Sequence, residues 1–154
     1  MYIEKTPYFT HKTIDQKSRE MKEALFPYIK NSLGDFILKE SSLLVLDMQD
    51  YFMSECSHAF IPSVSAIVNG ISRLTELYVK NGLPVILTRH LNTAENAGLM
   101  NWWWKNVIRT DNQLCKINNN IFTKSAIIIE KSQYDAFYMT PLEHILKENG
   151  VKNV

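Results

Sequence analysis

Polar side chains suited to chemistry cluster where three short apolar runs end. Asp47 follows Leu43-Leu44-Val45-Leu46. Arg89 and His90 follow Val85-Ile86-Leu87-Thr88. Glu130 and Lys131 follow Ala126-Ile127-Ile128-Ile129. Continuous apolar runs of this length fit strands buried on both faces, as in a parallel sheet. In open α/β sheets, ligands bind outside the carboxyl ends of the strands. An acid, an imidazole and a cation at successive strand ends can move a proton and stabilise a developing anion. In that reading Asp47 accepts the proton and Lys131 supplies the positive charge. The same two residues also read as a plain structural salt bridge, and composition does not separate the two.

Other reactive side chains carry less. Cys56 and His58 are near neighbours in a loop, where a nucleophile and its base need contact in space rather than in sequence. Cys115 lies in a polar segment and reads as inert. The four histidines, His11, His58, His90 and His144, show no metal-ligand spacing. Trp102, Trp103 and Trp104 point in different directions on a helix, so they divide between core and a pocket wall. The residues after the first run, Asp47-Met48-Gln49-Asp50, are acidic rather than glycine-rich, which disfavours a nucleotide phosphate there.

The elements that must position these groups alternate. Met1 to Thr10 reads as an arm lying on the domain. Thr13 is placed to cap a helix running to Leu33, with Gly34 beyond its end and a break expected at Pro27. After Pro62, Val64, Ile67, Val68, Ile71, Leu74 and Tyr78 recur at helical spacing, and Asn81-Gly82 ends that helix. Asn92 to Asn101 reads as loop, Trp102 to Ile108 as a short aromatic helix and Thr110 to Asn120 as loop. Thr140-Pro141-Leu142-Glu143 has the form of a capping box, followed by the apolar face Leu142, Ile145 and Leu146 and a glycine stop at Gly150. Val151 to Val154 reads as the approach to a fourth strand. Strands alternating with helices predict right-handed crossovers and helices on both faces of the sheet.

With 154 residues the chain suits one domain, and 45% hydrophobic and 21% charged residues allow a real core. A formal net charge of +1 selects neither nucleic acid nor an anionic membrane. The apolar runs are too short for a membrane span, and the N-terminus has no apolar signal region. Two cysteines argue against a disulfide scaffold and make the cytoplasm the expected location.

At this point the motifs resemble a known family. Leu43 to Phe52, with its Asp47-Met48-Gln49-Asp50-Tyr51-Phe52, is similar to the opening motif of the isochorismatase-like hydrolase superfamily. Glu130-Lys131-Ser132-Gln133-Tyr134-Asp135-Ala136-Phe137, followed by Thr140-Pro141-Leu142-Glu143, resembles its second motif. Thr88-Arg89-His90 resembles the end of its second strand. The resemblance implies an α/β fold, a Rossmann-like three-layer α/β/α sandwich with a mostly parallel sheet. It divides the chain into an N-terminal arm and helix, 1–41, and the hydrolase domain, 42–154. It implies catalytic roles for Asp47 and Lys131, and a substrate pocket lined by Phe52, His90, Trp104, Tyr134 and Phe137. It implies a small-molecule substrate, a homo-oligomer and no cofactor. Only His58 falls where zinc-binding members place an Asp and two His, so no metal is expected. Asp135 stands where members often have Ser.

The resemblance also implies a strand after Val151 to Val154, leading to a turn that carries a nucleophilic cysteine or its glycine replacement. Neither Cys56 nor Cys115 corresponds to that position, so the domain is expected to lack its C-terminal strands within these residues. In the cysteine branch, an Asp-Lys-Cys triad cleaves an amide-type C–N bond through an acyl enzyme. In the isochorismatase branch, Asp and Lys hydrolyse a vinyl ether with no covalent intermediate. Thr88-Arg89-His90 and Ser57 to Pro62 resemble the cysteine branch more. A third reading is a non-catalytic, truncated or scaffold polypeptide.

Overall fold

In the computed structural model, which describes residues 5–29, 36–104, 106–121 and 124–154, the three apolar runs pair as one parallel sheet. β1 (Leu43–Val45), β2 (Val85–His90) and β3 (Ile127–Lys131) lie in the order β1-β2-β3. Leu43 sits opposite Val85, and His90 sits opposite Lys131. The β-branched and leucine side chains of these runs fit a pleated surface; β2 is covered on both sides, but β3 departs from that expectation, with Ile127 and Ile128 exposed.

Alternation along each strand divides its side chains between the two faces. Val45, Val85 and Leu87 pack against Val64, Val68 and Tyr78, the last two from the helix α3 (Ser65–Lys80). Ile86 and Ile129, with Leu44 beside them, pack against Leu142, Ile145 and Leu146 of the helix α5 (Leu142–Glu148). Helices therefore cover both faces, and the three layers match the expected α/β class. No helix among the described residues is long and apolar enough to cross a membrane.

Several local expectations are corrected. The first helix, α1, runs only from Ile14 to Leu25, and Pro27 lies in a single 3₁₀ turn, Phe26–Tyr28. The ring removes a backbone donor, so the break falls there. The stretch 30–35, with the expected end at Leu33 and Gly34, lies outside the described residues. Thr13 precedes α1, but its Oγ1 accepts from the Thr10 N–H at 2.9 Å instead of capping the helix. In α3, Leu74 is exposed and Thr75 is buried instead, its hydroxyl donating to the Ile71 carbonyl at 2.9 Å. A single turn, α2 (Asp50–Met53), follows the end of β1, and the aromatic helix is likewise the single turn Met100–Trp103, here α4, with Trp104 already extended. The box at Thr140 is half formed. Thr140 Oγ1 accepts from the Leu142 N–H at 3.3 Å, while Glu143 reaches forward to Lys147 at 2.6 Å.

Gly150 ends α5 as expected. At φ 63° its N–H donates to the Lys147 carbonyl at 3.1 Å, and the Val151 N–H donates to Leu146 at 3.0 Å. This is the Schellman arrangement, and glycine adopts that backbone without steric cost. The chain then bonds beside β1. The Ser42 N–H donates to the Asn153 carbonyl at 2.9 Å, and Ser41 and Asn153 form a parallel bridge. The Leu43 N–H points the other way, to Pro84 at 3.0 Å on the β2 side. The chain has thus passed from β3 to the opposite flank of β1. The carboxyl end of β1 becomes a topological switch point, where open α/β sheets hold their ligands.

Candidate active site

Asp47 stands at that switch point, just past β1. Its φ is 52°, in the left-handed region. Asp tolerates this better than bulky residues do, but it still costs about 1 kcal/mol or more. The turn is closed by the Gln49 N–H donating to the Asp47 carbonyl at 2.7 Å. It swings the carboxylate sideways across the sheet. Oδ2 meets Lys131 Nζ at 2.7 Å, and Oδ1 accepts from the Thr88 hydroxyl at 2.6 Å. The Thr88 oxygen in turn accepts from the Asp47 N–H at 3.1 Å.

Lys131 is the last residue of β3, as expected. Its side chain is 2% exposed, against 24% for Asp47. Burying an ammonium is costly unless donors are satisfied. Besides Asp47, Nζ donates to the Gln133 and Tyr134 carbonyls at 3.1 and 3.4 Å. The pair is therefore a true salt bridge, with the cation sealed and the carboxylate still open to an approaching molecule.

Alternation selects which strand-end groups join it. Thr88, His90 and Lys131 lie on one face. Arg89 and Glu130 lie on the other, where they pair with each other. His90 is buried. Its Nε2 lies 2.8 Å from Asn92 Oδ1, and Asn92 Nδ2 donates to the Ser132 carbonyl at 3.0 Å. Burial pushes the imidazole below its ordinary value of 6.5; the nearby Lys131 charge adds to this, while the Asn92 bond and Asp47 oppose it. Gln49, fully buried, acts as a substitute strand partner beyond the end of β1. Its Oε1 accepts from the His90 N–H at 2.7 Å, and its Nε2 donates to the carbonyls of His90 and Cys115 at 3.1 and 2.6 Å.

The aromatic residues gather beside His90. Trp104 lies nearly parallel to His90, with centroids 6.4 Å apart, and its indole N–H donates to the Tyr134 hydroxyl at 2.7 Å. Phe52 meets Trp104 edge-on at 6.3 Å. Four of the five expected lining residues, Phe52, His90, Trp104 and Tyr134, are thus brought together. Phe137 is 48% exposed and makes no ring contact with this cluster among the described residues.

Tyr51, at the cluster's base, was not expected there. Burial raises its phenol, and its hydroxyl donates to the Asn106 carbonyl at 2.7 Å. Thr88, Gln49 and Asn92 were also missed as partners, although Thr88 was detectable as the lone hydroxyl of an apolar strand, two residues before His90. Cys56 is exposed, and Cys115 is buried with Tyr51, Leu91 and Ile108. Among the described residues, no three His, Cys, Asp or Glu side chains form a metal-binding group.

The geometry can be set beside known proteins. The family model for the isochorismatase domain matches residues 41–154. Enterobactin synthase component B of Escherichia coli K12 is 27% identical over 115 residues, which cover 73% of this chain and 40% of that protein. Nicotinamidase 3 of Arabidopsis thaliana is 27% identical over 121 residues, covering 75% of this chain and 57% of that protein. A cysteine hydrolase from Pseudomonas syringae pv. phaseolicola superposes with TM-score 0.72 at 21% identity, covering 77% of this chain and 59% of that one. N-carbamoylsarcosine amidase from Thermoplasma acidophilum superposes with TM-score 0.64 at 22% identity, covering 73% and 63%. The solved structures establish the common fold, and the chain spans less than two thirds of each of these relatives.

Proposed function

The chain belongs to the isochorismatase domain family, and from that premise we propose that it carries the Asp–Lys part of a site that hydrolyses an amide-type C–N bond in a small molecule. The observation that carries this reading is the buried Lys131 ammonium, 2.7 Å from a carboxylate that stays partly open at the switch point. Asp47 is the general base and Lys131 the electrostatic partner. Phe52, His90, Trp104 and Tyr134 hold the substrate, with Phe137 at the rim. The nucleophile is a cysteine that is neither Cys56 nor Cys115. The parallel bridge between Ser41 and Asn153 supports its approach from the free flank of β1, because it aligns the chain along β1 toward Asp47.

Asp47 takes the thiol proton, and the thiolate attacks the carbonyl carbon. The tetrahedral oxyanion collapses, and the amine leaves with the proton returned by Asp47. Water then attacks the thioester, gives its proton to Asp47 and frees the acid, restoring the thiol. Lys131 balances the charge on Asp47 through both half-reactions.

A second reading is hydrolysis of a vinyl ether with Asp47 as proton donor. It is favoured by one observation: the family model that matches residues 41–154 is that of the isochorismatase domain. The same proposal places residues 1–41 as an accessory arm and helix, and makes the enzyme cytoplasmic and homo-oligomeric, which size-exclusion chromatography checks. Intact mass of the natural protein and assays on a panel of amides and vinyl ethers test the whole reading. Amide hydrolysis lost in Asp47→Asn supports it. Unchanged turnover in that variant sinks the role of Asp47. A natural mass near 17.9 kDa with no hydrolysis of either class supports the non-catalytic alternative.

A further inference from the structure

The first helix carries an apolar stripe that no described part of the chain buries. In α1, Ile14, Ser18, Met21 and Leu25 recur at spacings of four, three and four, the rhythm of a helix-packing seam. No residue of α1 is buried, and Met21 and Leu25 are 44% and 59% exposed. Phe26 and Tyr28 prolong the exposed apolar surface past its end. A helix of 12 residues is marginal in water and needs its apolar face packed. This helix also lies outside residues 41–154, the part that the family model matches. Its charges border the stripe. Asp15 and Lys22 lie along one edge, and Lys17 and Ala24 along the other. Lys17 pairs with Glu20 at 3.3 Å, while Asp15 and Lys22 form no salt bridge among the described residues.

We propose that α1 is a dimerisation element, packing antiparallel on α1 of a second copy of this chain. The inference rests on the homo-oligomeric reading and assigns that reading a surface. A two-fold axis midway between Ser18 and Met21 sets Ile14 against Leu25 of the other copy, and Ser18 against its Met21. In that register Asp15 of each helix lies beside Lys22 of the other, on both sides of the axis. The parallel arrangement has no such match. It sets Lys17 beside Lys22 of the second copy twice, and like charges at flanking positions select against it. The antiparallel pair covers Met21 and Leu25 of both copies, so a substitution in the seam acts twice.

Sedimentation velocity on the full natural protein, from about 1 to 300 μM, is expected to show a concentration-dependent dimer. Leu25→Asp, which places a charge in the seam, should weaken it at least about tenfold. Asp15→Lys sets like charges beside Lys22 and should weaken it about threefold, as should Lys22→Asp. The two reversals combined in one chain restore opposite charges, and dimerisation should return to within about twofold of the natural protein. That recovery separates lost pairing from a helix that fails to form. Raising salt to about 0.5 M should shrink the effect of Asp15→Lys and spare that of Leu25→Asp. A dimer unchanged in Leu25→Asp, or no recovery in the combined variant, would overturn the inference and leave a homo-oligomer built through another surface. A natural protein that stays monomeric throughout would overturn the homo-oligomeric reading and the inference with it.

Discussion

Asp47→Ala and Lys131→Met, made singly and together, test whether the pair is held as one unit. In Asp47→Ala the Lys131 ammonium stays buried, with only the Gln133 and Tyr134 carbonyls at 3.1 and 3.4 Å to receive it. Removing one partner of a buried ion pair costs about 3–5 kcal/mol. In Lys131→Met the carboxylate keeps its 2.6 Å bond from Thr88 and is 24% exposed, so water replaces the lost partner. That change should cost about 1–2 kcal/mol. The double variant removes both charges and places an apolar side chain in the space, so it should be no less stable than Asp47→Ala alone. The coupling energy is then about 1–2 kcal/mol, well above the error of additivity. Urea unfolding followed by tryptophan fluorescence measures all four proteins, with m-values checked for equality. Single losses that add to within about 0.5 kcal/mol would refute the argument, because the charges would then be independent and separately solvated.

Gln49→Leu removes the side-chain partners of the His90 N–H, the His90 carbonyl and the Cys115 carbonyl together, so it should cost about 3 kcal/mol. A loss below 1 kcal/mol in urea would mean that water or a shifted loop replaces the clamp. His90 carries a pH dependence whose sign is fixed by its environment. Burial lowers its folded value below 6.5, so between the two values the unfolded chain binds the extra proton. The contribution of His90 to stability is therefore full above about pH 6.5 and is lost as pH falls below that value toward the folded one. His90→Gln should flatten this part of the stability profile between pH 7.5 and 5.5, and an unchanged slope in the variant would assign the titration to another group.

The strand positions were legible because each lies in a continuous apolar run, which β2, buried on both faces, requires, although Ile127 and Ile128 of β3 stay exposed. The rule that ligands gather at carboxyl ends then singled out Asp47, His90 and Lys131. Other parts of the site leave no local trace. Thr88 and Asp47 are 41 residues apart, as are Gln49 and His90, and no periodicity records a hydrogen bond across that separation. The left-handed backbone at Asp47 is equally silent, since Asp is common in turns and in strand ends alike. Trp104 looked helical because three tryptophans run together. Its extended backbone places the ring against His90 and Tyr134, and tertiary stacking overrides the weak helix preference of a four-residue turn.

The sequence left a salt bridge and a catalytic pair as rivals, and the geometry makes them compatible. A buried ion pair is a poor route to stability, because apolar residues of similar volume do as well or better. Stability alone therefore gives little reason for a sealed lysine here. It gives still less for a carboxylate reached through a residue at φ 52°, which adds backbone strain to the cost of desolvation. Both costs become intelligible if the carboxylate must present one edge to Lys131 and Thr88 while another remains open to an approaching molecule. An extended backbone at residue 47 would put the side chain on the same face as Val45, opposite Thr88 and Lys131. On this argument the strained turn is the part of the site most specific to chemistry. Thr88 and Gln49, one on the carboxylate and the other on the strand beside it, hold it in place.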